Sequence, residues 1–302
     1  MKCLLMYNPF SKSGNINKNL DYIKKRLSEK YETIDTFCTQ APKSITKQLY
    51  MVGNNYDLVV VCGGDGTVNE AINGLVGSKC SASLGVIPTG TCNDLSKMLG
   101  FSKNIKKQLN IILNGVSVKM DTCKMNDVYF SYGCAIGKYT DVSYKAKRKI
   151  KRIFGRLAYF LAGISEFGKY TKLDLIVKTP DVYRNKRYYV VLVLNANRVA
   201  GFNIKRIKGV KLNDGMIDLT LIEKNGNFIT WPRLAHFFIR GEKCKKGVEN
   251  IRTNHIEIES YENLNINTDG ELADSTNKVI IDVCKESLNI IVDKDIQNKY
   301  FK

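Results

Sequence analysis

Through roughly the first 120 residues, short apolar runs alternate with longer stretches whose apolar positions recur at helical spacing. The runs at 2–7, 33–38, 57–62 and 84–87 predict strands. The amphipathic stretches at 17–30, 45–52, 67–75, 94–99 and 105–114 predict helices. Strictly alternating strands and helices read as βαβ units on a parallel sheet. After about residue 123 the pattern becomes strands with hairpin-like turns, at 128–132, 173–178, 188–195, 216–222, 255–260, 264–268 and 279–283. "IDLTLI" at 217–222 alternates apolar and polar residues, which marks a sheet with one wet face. A helical insertion is expected over 144–166 and a short helix over 230–239, "TWPRLAHFFI", with Thr as N-cap and an early Pro. The expected organisation is an α/β domain over 1–123 and a β-rich domain over 124–289.

Composition narrows the class. The chain has 302 residues, 44% hydrophobic, enough to fill an enzyme-sized core. The nine cysteines are scattered singly with no C-x-x-C pair, which argues for reduced thiols and a cytoplasmic protein. The first apolar stretch is too short for a signal peptide. The best apolar run, "YYVVLVLNA" at 188–196, is strand-length, well under the ~20 residues of a membrane span. A formal net charge of +18 points to an anionic partner: nucleotide, anionic lipid or nucleic acid. "KAKRKIKR" at 145–152 concentrates six basic residues in eight positions.

Three loops at the ends of the first-domain strands carry turn or glycine residues: "NPFSKSG", "GGDGTVNE" and "PTGTCND". Gly63, Gly64 and Gly66 allow a close backbone approach to an anion, with Thr67 and a helix start behind them. Asp65 in the middle is unfavourable beside a phosphate unless a cation or donor network intervenes. Read alone, the stretch is equally a tight strand-to-helix turn with Asp as N-cap. "GVIPTGTCND" repeats the arrangement one strand later. There is no G-x-x-x-x-G-K-[ST], no G-x-G-x-x-G after the first strand, and no H-R-D or D-F-G, which removes P-loop proteins and protein kinases and weakens a dinucleotide-binding reading. The two histidines, His236 and His255, lack metal-ligand spacing. A nucleic-acid-binding module lacks any supporting motif.

With "LNDGMIDL" and "NTDGE" added in order, these segments resemble the soluble bacterial diacylglycerol kinases, relatives of sphingosine and ceramide kinases. The resemblance implies an N-terminal α/β domain like that of NAD kinases and phosphofructokinases, then a C-terminal β-sandwich, with the last segment, 290–302, returning to the first domain. It implies transfer of the ATP γ-phosphoryl to the primary hydroxyl of diacylglycerol, giving phosphatidic acid. Another lipid alcohol as acceptor, or an NAD-kinase-like enzyme, stays open.

The implied nucleotide contacts are Asn8, Pro9, Phe10, Ser11, Lys12, Thr39, Gly64, Asp65, Gly66, Thr67, Val68, Asn69, Glu70 and Thr91. Asp65, Asp94 and Asp121 are similar to carboxylates linked through water to magnesium, and the resemblance implies a second Mg²⁺ site, organisational in role, at the Asp214 carboxylate with the carbonyls of Lys211 and Met216. By spacing alone, Asp121 is only an Asp in a turn or cap after a short strand. Asp269 and Glu271 of "NTDGE" are the implied general-base pair, either of which could take the proton. Peripheral membrane attachment through 145–152 and a homodimer complete the expectation. The chain departs from the family's N-P-x-S-G pattern: Lys12 follows Ser11 and glycine comes only at Gly14, while Cys92 stands where small residues are usual.

Overall fold

The computed structural model describes residues 1–9, 16–90, 93–137, 173–195, 198–199, 202–203, 211–223, 247–269 and 271–302. The insertion expected over 144–166, its basic run at 145–152, and the helix expected over 230–239 lie outside the described residues. The chain divides into two compact units. One comprises Met1–Ser131, Gly209–Gly215 and Val283–Lys302; the other comprises Tyr132–Lys208 and Met216–Asp282.

In the first unit the elements run β1 (Lys2–Tyr7), α1 (Leu20–Leu27), β2 (Thr33–Cys38), α2 (Ser44–Val52), β3 (Leu58–Gly63), α3 (Asp65–Gly77), β4 (Ser83–Pro88), α4 (Asp94–Met98), α5 (Ile105–Asn114), β5 (Val116–Met125) and β6 (Val128–Phe130). The sheet is parallel in the order β4-β3-β1-β2. Every residue of β3 is buried, as a central strand covered on both faces requires. Ile23 and Leu27 of α1 and Leu109 and Ile112 of α5 pack with Cys3, Leu5, Leu58 and Val60 of the sheet. Lys24 and Lys25 occupy the more exposed side of α1.

Three hydrogen bonds carry the parallel ladder past the strand ends. Asn8 N–H donates to the Cys62 carbonyl at 3.1 Å, Thr39 N–H to Tyr7 at 3.0 Å, and Thr89 N–H to Gly63 at 2.9 Å. The loops after β1, β2, β3 and β4 therefore start side by side at the carboxyl edge of the sheet, where open α/β sheets bind ligands.

The second unit is antiparallel. Its strands are β7 (Gly133–Gly137), β8 (Leu173–Lys178), β9 (Tyr183–Leu194), β10 (Arg198–Val199), β11 (Phe202–Asn203), β12 (Ile217–Glu223), β13 (Val248–Thr253), β14 (His255–Thr268) and the first half of β15 (Glu271–Val292). The order is β13-β12-β9-β7-β14-β15. β7 and β8 share one slot: both pair with β9 and with β14, at different positions along them. Two strands expected at 255–260 and 264–268 are one strand, β14, with a register shift against β15 between Glu259 and Leu264. His255 is paired across this hairpin, Nδ1 to Asp282 at 2.6 Å, with Nε2 3.4 Å from Glu257.

From Val283 the chain belongs to the first unit again. There β15 pairs in parallel with β4 (Ile290 with Leu84) and also pairs with β5, and helix α6 (Lys294–Tyr300) follows. Among the described residues no helix is long and apolar enough to cross a membrane.

Candidate active site

At the carboxyl edge of the first unit two glycine loops meet backbone to backbone. A Cβ on Gly90 would lie 2.5 Å from Gly64 Cα and 2.6 Å from Asn93 Oδ1, so only glycine permits the approach. Asn93, with φ of 51°, closes its own loop: its Oδ1 accepts from Gly90 N–H at 3.1 Å and its Nδ2 donates to the Gly90 carbonyl at 2.8 Å.

Asp65 fastens the two loops. One carboxylate oxygen accepts from Asn93 N–H at 2.6 Å and the other from Asp94 N–H at 2.7 Å. The stretch is a tight strand-to-helix turn as that alternative has it, but Asp65 is not its N-cap. Gly64 is the N-cap of α3, Asp65 is its first residue, and the carboxylate reaches across to the next loop instead of folding back on its own helix. Its charge is offset by two N–H donors and by its position in the first turn of α3.

Helix α3 begins two residues earlier than expected, so Gly66, Thr67, Val68, Asn69 and Glu70 all lie in its first turns. Val68 is buried. Asn69 Nδ2 donates to the Tyr129 carbonyl at 3.3 Å. Glu70 ties α3 to α2: its Oε2 accepts from Ile45 N–H at 3.3 Å and its carbonyl from Thr46 Oγ1 at 2.8 Å. Asn8, Pro9 and Thr39 stand at the ends of β1 and β2, whereas Phe10, Ser11, Lys12 and Thr91 lie outside the described residues.

Sequence reasoning does not single out Asn73. Its amide grips the main chain of Tyr129, accepting from the N–H at 2.8 Å and donating to the carbonyl at 2.8 Å, and it also donates to Asn69 Oδ1 at 3.0 Å. The signal available in the sequence is two asparagines four positions apart, on one helical face.

Asp121 lies inside β5, not in a turn, and is fully buried. Its Oδ1 accepts from Glu286 N–H at 2.7 Å and its Oδ2 from Gly215 N–H at 2.6 Å, while its own N–H donates to the Leu212 carbonyl at 2.7 Å. Both donors have positive φ, 50° at Glu286 and 77° at Gly215. Burial pushes the Asp121 carboxyl above its ordinary range; the two N–H bonds pull it down, and the nearby Asp214 and Glu286 charges push it up again.

Asp94 is buried beside Asp65, while Asp121 keeps company with Asp214, Gly215 and Glu286. Among the described residues no three His, Cys, Asp or Glu side chains group as direct metal ligands. The 211–216 turn carries oxygens of another kind, the Asp214 carboxylate and main-chain carbonyls, which is the chemistry a hard cation retaining water would accept.

In the second unit Thr268 pairs with Glu271, and Asp269 follows Thr268 where β14 turns towards β15. Asp269 has φ of 50°, as primed hairpin turns demand. It is only 3% exposed. Its Oδ1 accepts from Tyr132 N–H at 3.0 Å and Gly133 N–H at 3.1 Å. Its N–H donates to the Gly133 carbonyl at 2.8 Å and its carbonyl accepts from Tyr132 Oη at 2.6 Å. Side chain and main chain of Asp269 are thus both fastened to the Tyr132–Gly133 segment at the hairpin tip. Burial, and then the Asp269 charge, push the Cys134 thiol up, which keeps it un-ionised. Glu271 opens β15; its side chain lies outside the described residues.

Comparison with known proteins finds two family descriptions that follow one another along the chain. The family description "Diacylglycerol kinase catalytic domain" matches residues 2–125, and "YegS C-terminal NAD kinase beta sandwich-like domain" matches residues 136–292. Curated relatives named diacylglycerol kinase include one from Staphylococcus saprophyticus subsp. saprophyticus, 30% identical over 98% of this chain and 96% of the relative. Another, from Bacillus subtilis (strain 168), is 30% identical over 88% of each. A crystal structure from Bacillus anthracis str. Sterne superposes with a TM-score of 0.83 at 26% identity, covering 98% of both chains. A further structure, of a diacylglycerol kinase from the same strain, gives 0.78 at 24% identity over 98% of both chains and supports the fold alone.

Proposed function

Because the chain belongs to the diacylglycerol kinase family, a family of lipid kinases, we propose that it transfers the γ-phosphoryl group of ATP to the primary hydroxyl of diacylglycerol, giving phosphatidic acid. The observation that carries this reading is the meeting of two glycine loops, Gly64 against Gly90, at the carboxyl edge of a parallel sheet. Such an edge offers main-chain N–H groups and a helix start to a triphosphate. In this reading the nucleotide lies along Asn8 to Lys12, Thr39, Gly64 to Glu70 and Thr91. Val68, Asn69 and Glu70 then serve through the main chain and through the shape of α3, since their side chains are buried or engaged with neighbouring elements.

Asp269 and Glu271 supply the base. The acceptor O–H proton passes to a carboxylate, the oxygen forms its bond to the γ-phosphorus, and the bond from that phosphorus to the bridging oxygen breaks as ADP leaves. Asp269 Oδ1 accepts from two N–H groups, which orients the carboxylate at the hairpin tip. A divalent cation, when bound, offsets phosphate charge. Asp65, Asp94 and Asp121 would hold it through water, and a second cation, with an organising role, would take the Asp214 carboxylate and the Lys211 and Met216 carbonyls. Peripheral attachment to anionic membrane through 145–152, and homodimerisation, belong to the same proposal.

The test is incubation of the purified protein with labelled ATP, Mg²⁺ and a total lipid extract, followed by chromatography. Label in phosphatidic acid is the expected result. Label confined to a different lipid replaces the acceptor; label in no lipid, or appearing only when NAD is supplied, overturns the reading.

A further inference from the structure

The side chain of Lys211 and the residues around the end of α6 form a clasp on the 211–215 turn. Lys211 Nζ lies 2.7 Å from the Phe301 carbonyl and 3.5 Å from those of Asn298 and Lys299, so a cation covers the carbonyl end of α6. Leu212 N–H donates to the Tyr300 carbonyl at 2.8 Å, and Lys302 N–H donates to Asn213 Oδ1 at 3.0 Å. Tyr300 and Phe301 are themselves buried, which anchors the helix end. From the other side Asp121 holds the same turn through the Leu212 carbonyl and Gly215 N–H.

Three successive residues of the turn, 211 to 213, are thus bonded to one helix end, and the flanking Leu212 and Gly215 to one buried residue. Asp214 lies between these fastenings. We infer that Lys211 is a positioning residue: its ammonium group, by clasping the end of α6, holds its own carbonyl and the Asp214 carboxylate in the arrangement that receives a divalent cation. The inference rests on the metal reading of this turn given above. It adds that α6, remote in sequence from every motif, sets the affinity of that site.

The charge of Lys211 makes the idea testable by sign. Removing a positive charge beside a cation site should strengthen cation binding if only Coulomb's law acts. Removing a clasp should weaken it by about 10-fold or more, as loss of supporting hydrogen bonds around metal ligands commonly does. The experiment titrates Mg²⁺ into the full chain without nucleotide, following the thermal midpoint and hydrogen exchange of the Leu212 and Gly215 amides. It compares Lys211→Met, Lys211→Arg, Asn213→Ala and Asp214→Asn.

The expected result is a weaker Mg²⁺ response in Lys211→Met and, to a smaller extent, in Asn213→Ala, with partial recovery in Lys211→Arg and faster Leu212 exchange in the first two. An unchanged or strengthened response in Lys211→Met, with Asp214→Asn impaired, overturns the clasp and leaves the metal reading standing. An unchanged response in Asp214→Asn overturns the metal reading and the clasp with it. If Lys211→Met does not fold, Lys211→Gln, which also removes the ammonium contact, decides by the same criterion.

Discussion

Asp65 of the first unit and Asp269 of the other share a sequence context, each an Asp followed by Gly at a strand end, yet they use their oxygens differently. Asp65 gives one oxygen to Asn93 N–H and the other to Asp94 N–H. Asp269 takes both Tyr132 N–H and Gly133 N–H on the single oxygen Oδ1. Asp121 follows Asp65, one oxygen to Gly215 and one to Glu286. The difference is one of anchoring. A carboxylate with each oxygen on its own backbone donor brackets the segment or segments that supply them, whereas one whose two N–H donors converge on a single oxygen is pinned at that oxygen.

Asparagine substitutions expose that difference most sharply. Asp269→Asn can keep an oxygen on both N–H donors, so on the proposed base role turnover should fall about 10²- to 10⁴-fold while the thermal midpoint stays near that of the parent. Comparable losses of turnover and stability would place Asp269 with the brackets. Gly90→Ala should be next, costing about 1–3 kcal/mol in denaturant unfolding and weakening ATP binding, because its Cβ would meet Gly64 Cα at 2.5 Å. Asp65→Asn and Asp121→Asn each leave one backbone N–H facing an amide N–H₂, a cost of about 1–3 kcal/mol measured the same way. A neutral result for either would mean that the bracket carries no weight.

The smallest effect belongs to His255, outside both groups. Its hydrogen bond to Asp282 raises its pKa from the ordinary 6.5, against a lowering by desolvation and with help from Glu257. Protonated His255 therefore favours the folded state: the contribution is full below about pH 6.5 and is lost as pH rises through the raised value. The stability difference between the parent and His255→Gln should shrink across that interval. It should be small throughout, since the pair is largely exposed. A difference that grows with pH would contradict the pairing.

The sequence pattern is most reliable where burial is local. β1, β2 and α5 have the bounds expected at 2–7, 33–38 and 105–114, because each is an apolar run or stripe with polar punctuation at its ends. The pattern starts α3 at 67 because Asp65 and Gly66 are poor helix formers by propensity; the helix starts at Asp65, whose carboxylate bonds reach to residues 93 and 94. β5 hides Asp121 for the same reason. An acidic residue in a strand reads as an end, and the donors that satisfy it are 94 and 165 residues further along the chain. The pattern predicts β15 only at 279–283, since its charged and polar first half carries no apolar period; pairing with β14 makes it a strand of 22 residues. The glycine loops are legible as motifs, but not the contact between Gly64 and Gly90, nor the grip of Asn73 on Tyr129, which need three-dimensional neighbours. The clasp of Lys211 on α6 leaves no trace in spacing at all.

The central claim, that phosphoryl transfer depends on the hairpin carboxylates while the nucleotide is held elsewhere, is tested most directly on the double variant Asp269→Ala, Glu271→Ala. ATP binding by calorimetry and transfer of labelled phosphate to diacylglycerol would be measured on the same preparation. The account predicts an ATP affinity close to that of the parent and no transfer above background. Transfer at the parental rate would contradict it.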